Sequence, residues 1–258
     1  MLGYEFMRHA LLASCIVALV CGPVGSFLVL RRQVFAAHAL GHLGFAGAAG
    51  ALLAGVPPLW GLVAVTVAGG AAMGALGERL GERDEATGMV LSAALGSGVL
   101  FLSLLTVGAA PATALLFGNV LGVDTPTLWR MAGLAALSLG LLAALSGPLL
   151  FASVGPDQAE VAGVRLRAIS AGFLAITGLA VAEAVQVVGV LLVFTLLVGP
   201  AAAAQRLSAR LWPAVALATT LACTQACLGV VLAYLTDWPA SFWISALSAA
   251  CYVATLNH

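Results

Sequence analysis

Along nearly its whole length this chain alternates apolar stretches of about 20 residues with short polar breaks, and that pattern leaves few folds open. Such a stretch is what an α-helix needs to cross about 30 Å of hydrocarbon at about 1.5 Å per residue. Of the 258 residues, 62% are hydrophobic and 8% are charged. A soluble domain carries about 25% charged residues to cover its core, whereas lipid tails solvate apolar side chains directly. The expected fold is therefore all-α, a polytopic helical bundle forming one membrane domain over 1–258.

The polar breaks place about nine spans near 9–30, 34–55, 58–77, 88–108, 127–150, 168–187, 189–205, 212–235 and 239–256. The number drops to eight if one segment is broken or interfacial. No cleavable leader is expected, because the first apolar run lacks a small-residue cleavage site and meets Arg31-Arg32 directly. All ten basic residues are Arg. Putting the loop 78–87 in the cytoplasm places Arg31, Arg32, Arg79, Arg83, Arg165, Arg167, Arg206 and Arg210 inside, and only Arg8 and Arg130 outside. The N-terminus is then outside and the C-terminus inside.

Net charge is zero, so no nucleic-acid partner is implied. The five cysteines lie in or beside apolar runs without CxxC spacing, and Cys223 and Cys227 read as packing residues. Glycines at spacings of three and four (Gly41, Gly44, Gly47 and Gly50, then Gly69, Gly70 and Gly74) read as close helix contacts.

Three ionisable residues map inside spans: His38, His42 and Glu183. An ionisable group at bilayer depth costs several kcal/mol unless it is paired or faces a cavity. His38 and His42 stand four apart, so both imidazoles share one helical face. Counted from Arg32 they lie about 9 and about 15 Å in, the second near the midplane. Two converging imidazoles suit a borderline ion such as zinc; the plainer alternative is a pair hydrogen-bonded to neighbouring helices. Glu183, about 22 Å above the cytoplasmic end of its span, reads equally as a third, oxygen ligand or as a carboxylate bonded to Gln186 or backbone.

The segment 153–167 differs from its surroundings. Gly155-Pro156-Asp157 is a helix-start signal and Gly163 a stop, with Ala159, Glu160 and Ala162 between them. A short polar helix in a cytoplasmic loop suits docking to a soluble partner, or is a plain interfacial connector. A phosphate-binding P-loop requires a lysine, and the chain has none. Any ATP hydrolysis must come from a second polypeptide. No HExxH or GxSxG motif is present, and no resident cofactor is implied.

The stretch 22–55 (GPVGSFLVLRRQVFAAHALGHLGFAGAAGALLAG) resembles the start of the manganese/zinc permease family of ABC importers. Arg31, Arg32, Phe35, His42 and Gly47 fall into the family register, and His38 stands where the family has Asp. The stretch 186–208 (QVVGVLLVFTLLVGPAAAAQRLS) is similar to a second family signature. Weaker matches are 115–124 (LLFGNVLGVD) and the docking segment with Ala159, Ala162 and Gly163. The resemblance implies a type II-like permease in the cytoplasmic membrane that pairs with a second permease copy, expected to be identical. It also implies cytoplasmic ATP-binding-cassette ATPases that dock on the segment carrying Asp157, Ala159, Glu160, Ala162 and Gly163, and an extracytoplasmic metal-binding protein. The family's ligand pair carries onto His38 and His42. An imidazole in place of a hard carboxylate moves the expected cargo towards zinc, with manganese or iron as alternatives. The rival reading is a secondary metal-ion transporter that works without an ATPase.

Overall fold

The computed structural model describes residues 4–76, 80–104, 116–190 and 193–257. Arg79, the end of the span expected at 88–108 and the beginning of the loop 109–126, expected outside, lie outside the described residues, as do residues 115, 191 and 192 of the family-like stretches.

Each expected apolar stretch is helical over most of its described residues. The ten α-helices among the described residues are α1 (Glu5–Leu30), α2 (Val34–Leu53), α3 (Pro58–Leu76), α4 (Leu80–Leu104), α5 (Thr125–Val154), α6 (Pro156–Val161), α7 (Leu166–Val188), α8 (Val193–Leu207), α9 (Leu211–Thr236) and α10 (Ala240–Ala254), with no strand. The physical reason is the absence of water in the bilayer core, where only a helix satisfies the backbone within its own segment. Seven helices, α1 to α5, α7 and α9, are long and apolar enough to cross a membrane. The stretches expected at 189–205 and 239–256 form shorter apolar helices, α8 and α10, of 15 residues each. At that length each spans about 22 Å.

The chain divides into two compact units: Met1–Val29, Ala110–Ala136 and Glu183–His258 in the first, and Leu30–Ala109 and Leu137–Ala182 in the second. In the first unit α8, α9 and α10 pack on one another. Helix α1 joins them through small residues: Gly22 lies against the backbone of Thr219, and Gly25 against the carbonyl of Leu197. Lipid gives no hydrophobic drive for helix association, so close backbone approach supplies the packing. Gln205 Nε2 adds a hydrogen bond to the Ser26 carbonyl at 2.6 Å.

Two of the family-like stretches meet in this unit. Gly189 ends α7 with φ +83°, and Gly118 in the connection before α5 has φ +77°. A Cβ on either would overlap the other's backbone segment, and the Asn119 N–H donates to the Gln186 carbonyl at 3.3 Å. Glycine at both positions is thus required by conformation and by contact.

In the second unit α2 packs against α3 and α4. Gly47 meets the Gly61 carbonyl and Val65; Gly44 meets Thr66 and Leu62; Gly50 lies against the Phe101 ring. On the other side of α3, Gly70 and Gly74 touch the backbone of α7 at Leu174 and Ala171, while Gly69 receives Leu43 of α2. The glycine runs are helix-packing surfaces, as their spacing indicates.

Candidate functional site

Helix α2 carries the histidine pair. It begins after a two-residue turn in which Arg32 adopts a left-handed conformation, φ +55°. Ala36, Ala37, Ala39, Leu40, Leu43 and Gly44 are buried, which fixes the rotation of the helix against its neighbours. One stripe stays only partly covered: Phe35 is exposed, and His38, His42 and Phe45 are half-buried. These positions recur at three and four residues, one face of a 3.6-residue helix.

On that stripe the His38 and His42 rings lie with centroids 4.8 Å apart at 80°, edge to face. Phe35 stacks beside His38 at 6.4 Å and 25°. The two imidazoles therefore converge on one region, as four-residue spacing allows. Among the described residues no group of three or more His, Cys, Asp or Glu side chains is gathered as a metal ion needs. The described residues of one chain thus bring two such donors together, short of the four that a tetrahedral zinc ion takes.

Glu183 lies in the first unit near the end of α7. It is 0% exposed, and neither carboxylate oxygen has a hydrogen-bond partner among the described residues. The Gln186 amide nitrogen and both polar atoms of Gln225 are likewise without one, so a Glu183–Gln186 bond is not formed. Cys21 of α1 is within electrostatic reach of Glu183. Cys15 and Cys227 bring their thiols to 3.3 Å, joining α1 to α9 without a disulfide. Spacing drew attention to Cys223 and Cys227 on one helix; the partner of Cys227 comes from another.

Helix α6 is the expected docking element. Pro156 occupies its first turn, where the missing N–H costs nothing. It ends in a Schellman motif: the Val164 N–H donates to the Ala159 carbonyl and the Gly163 N–H to the Glu160 carbonyl, each at 2.9 Å, with Gly163 at φ +82°. Ala159 is fully buried and anchors the helix, while Asp157, Glu160, Ala162 and Gly163 are exposed. Val161 is 91% exposed, an apolar side chain at the tip of a polar helix. The sequence reading passed over it; its signal was an apolar residue following Glu160 in a loop between spans.

Beside this helix lies a second group missed at the sequence level. Arg31, 8% exposed, donates from Nε to Gln33 Oε1 at 3.0 Å, from Nη1 to Ser153 Oγ at 3.1 Å and from Nη2 to Ser170 Oγ at 2.7 Å. Its guanidinium sits 5.8 Å from the Phe173 ring centroid. The arginine read from the sequence for orientation and family register is a buried, hydrogen-bonded cation.

At the start of α5, Asp124 caps the helix: the Thr127 N–H donates to its Oδ1 at 3.0 Å. Hydrogen bonds from the Thr127 side chain and then its backbone hold the Asp124 carboxyl below its ordinary value.

The ABC 3 transport family matches residues 3–258. The chain is 33% identical, over its full length and 95% of the relative's, to a protein of Haemophilus influenzae described as a "Probable iron transport system membrane protein". It is 28% identical to the manganese transport system membrane protein MntC of Listeria innocua, covering 99% of this chain and 89% of that one. Among solved structures, a chain of PsaBC from Streptococcus pneumoniae in complex with Fab superposes with a TM-score of 0.87 at 24% identity, covering 98% of this chain and 91% of that one.

Proposed function

Since the chain belongs to the ABC 3 transport family, we propose that it is the membrane-spanning subunit of an ATP-driven importer for a divalent metal ion, zinc before manganese or iron. It is a multi-pass permease of the cytoplasmic membrane. The observation that carries the metal reading is the partly covered stripe of α2. Two imidazoles on a helix at membrane depth lie on a stripe that the neighbouring helices cover only in part. Leaving them to lipid would cost several kcal/mol.

A second copy of the chain placed against this stripe would bring two more imidazoles to the same region. Four nitrogen donors suit zinc in a tetrahedron. A homodimer with the path between the two α2 helices meets both the polarity and the donor count. Glu183, buried and without a hydrogen-bond partner among the described residues, is a candidate oxygen ligand for an ion in transit. The two named relatives are described as a probable iron and a manganese transport system membrane protein. The preference for zinc rests on His38 occupying the position of the family carboxylate.

ATP hydrolysis belongs to a separate cytoplasmic ATPase, because this chain has no lysine for a P-loop. The ATPase docks on α6 through Asp157, Glu160, Val161 and Ala162, with Ala159 anchoring the helix and Gly163 closing it. Docking there requires α6 and the arginine-rich loops to face the cytoplasm, in line with the arginine bias. An extracytoplasmic metal-binding protein delivers the ion on the opposite side. Family membership weighs against the secondary transporter, which needs no docking helix.

The test is uptake of radioactive zinc and manganese into proteoliposomes holding the permease, its ATPase and its binding protein. His42→Ala should abolish uptake with expression and assembly intact, and His38→Ala should impair it strongly. Undiminished uptake and unchanged metal preference in the double variant would show that the pair is only structural. Concentrative uptake by the permease alone would overturn the ATP-driven reading.

A further inference from the structure

We propose that Arg31 is the positioning residue that passes movement of the docking helix α6 to the histidine pair on α2. The inference rests on the function proposed above. Arg31 lies in the turn before α2, and its guanidinium fixes three points of the chain at once. Through Nε it holds Gln33, the residue at the N-cap position of α2. Through Nη1 it holds Ser153, in the last turn of α5 and two residues before Gly155 opens the docking helix. Through Nη2 it holds Ser170, in the first turns of α7 after the docking segment. The chain entering α6 and the chain leaving it are thus both tied to the start of the helix that carries His38 and His42.

All these groups belong to one compact unit. Helix α2 contains no proline, and a regular helix carries a displacement of its first turn along its axis. His38 and His42 follow Gln33 by five and nine residues, within about three turns. The chemistry calls for arginine specifically. A planar guanidinium directs its N–H groups along fixed vectors in one plane, while a lysine ammonium is a point charge on a flexible stem. The Phe173 ring near the guanidinium further limits its position. Its hydrogen bonds to two serine hydroxyls and one amide each run along a fixed direction, so together they register the relative position of the three segments.

The experiment compares zinc uptake with ATP hydrolysis in the same proteoliposomes of permease, ATPase and binding protein. Three variants are made: Arg31→Gln, Arg31→Lys, and the double variant Ser153→Ala/Ser170→Ala, which leaves the cation and removes two acceptors. Zinc binding to each purified permease is measured separately by equilibrium dialysis. Arg31→Gln and the serine double variant should assemble and hydrolyse ATP, while zinc moved per ATP falls on the order of fivefold. Arg31→Lys should not restore the ratio, and zinc affinity should stay unchanged in all three. An unchanged ratio in the assembled serine double variant overturns the proposal, even if Arg31→Gln fails to fold. A fall in zinc affinity that parallels the ratio overturns it too, because the arginine would then act on the site itself. If the unaltered complex shows no ATP-dependent zinc uptake, the failure lies with the proposed function and not with the role of Arg31.

Discussion

Replacing Gly163 and Gly189 singly by alanine compares one backbone conformation in two surroundings. Their φ angles are nearly equal, +82° and +83°. Each substitution forces an L-residue into the left-handed region, at a cost of about 1 to 2 kcal/mol. Each also removes glycine's freedom from the unfolded chain, which gives back about 0.4 to 1 kcal/mol. Those contributions are common to both and cancel in the comparison. What differs is the space around the new Cβ. At Gly163 nothing lies within 4 Å. At Gly189 the Cβ would overlap the Leu116 carbonyl and the backbone of Phe117 and Gly118. Backbone cannot swing aside as a side chain can, so overpacking adds about 1 to 3 kcal/mol. Gly189→Ala should therefore be less stable than Gly163→Ala by that margin. Equilibrium unfolding in mixed micelles of mild detergent and dodecyl sulfate, followed by far-UV circular dichroism, measures the difference. Equal losses, or a larger loss at Gly163, would refute the reasoning.

Further outcomes are open to measurement. His38→Asp should retain uptake and shift preference from zinc towards manganese, since a carboxylate is the harder ligand; competition between the two radioactive ions reads this directly. Val161→Glu should leave stability within about 0.5 kcal/mol, because the side chain is exposed, and should lower co-purification of the ATPase and its stimulation. Asp124 has a folded pKa below its ordinary value, so its cap stabilises the protein above the unfolded value, about 3.9, and the stabilisation is lost as pH falls through the folded value. Asp124→Asn should remove that acid-side dependence from the unfolding midpoint, and an unaltered pH profile would show that the cap contributes nothing.

The features legible in the order of residues are local ones. Apolar stretches of about 20 residues impose helices because lipid offers the backbone no other partner. Four-residue spacing puts His38 and His42 on one face whatever surrounds them, and Pro156 and Gly163 bound α6 through their own dihedral preferences. The two short helices were harder to read, because composition reports that a segment is apolar and not where its last turn ends. The rest required tertiary structure. Which stripe of α2 stays partly covered depends on where α3 and α4 pack, and apart from its two histidines α2 is apolar on every side. Arg31 finds its serines 122 and 139 residues away, and Cys15 finds Cys227 at a separation of 212. Gly118 and Gly189 each look like an ordinary helix breaker until their backbones meet. Glu183 could be placed at membrane depth from its position in the chain, yet its burial without a hydrogen-bond partner among the described residues follows from helices distant in sequence. Periodicity carries information over a few turns of helix, whereas contacts between helices depend on shape at each crossing, and no short window of sequence encodes that.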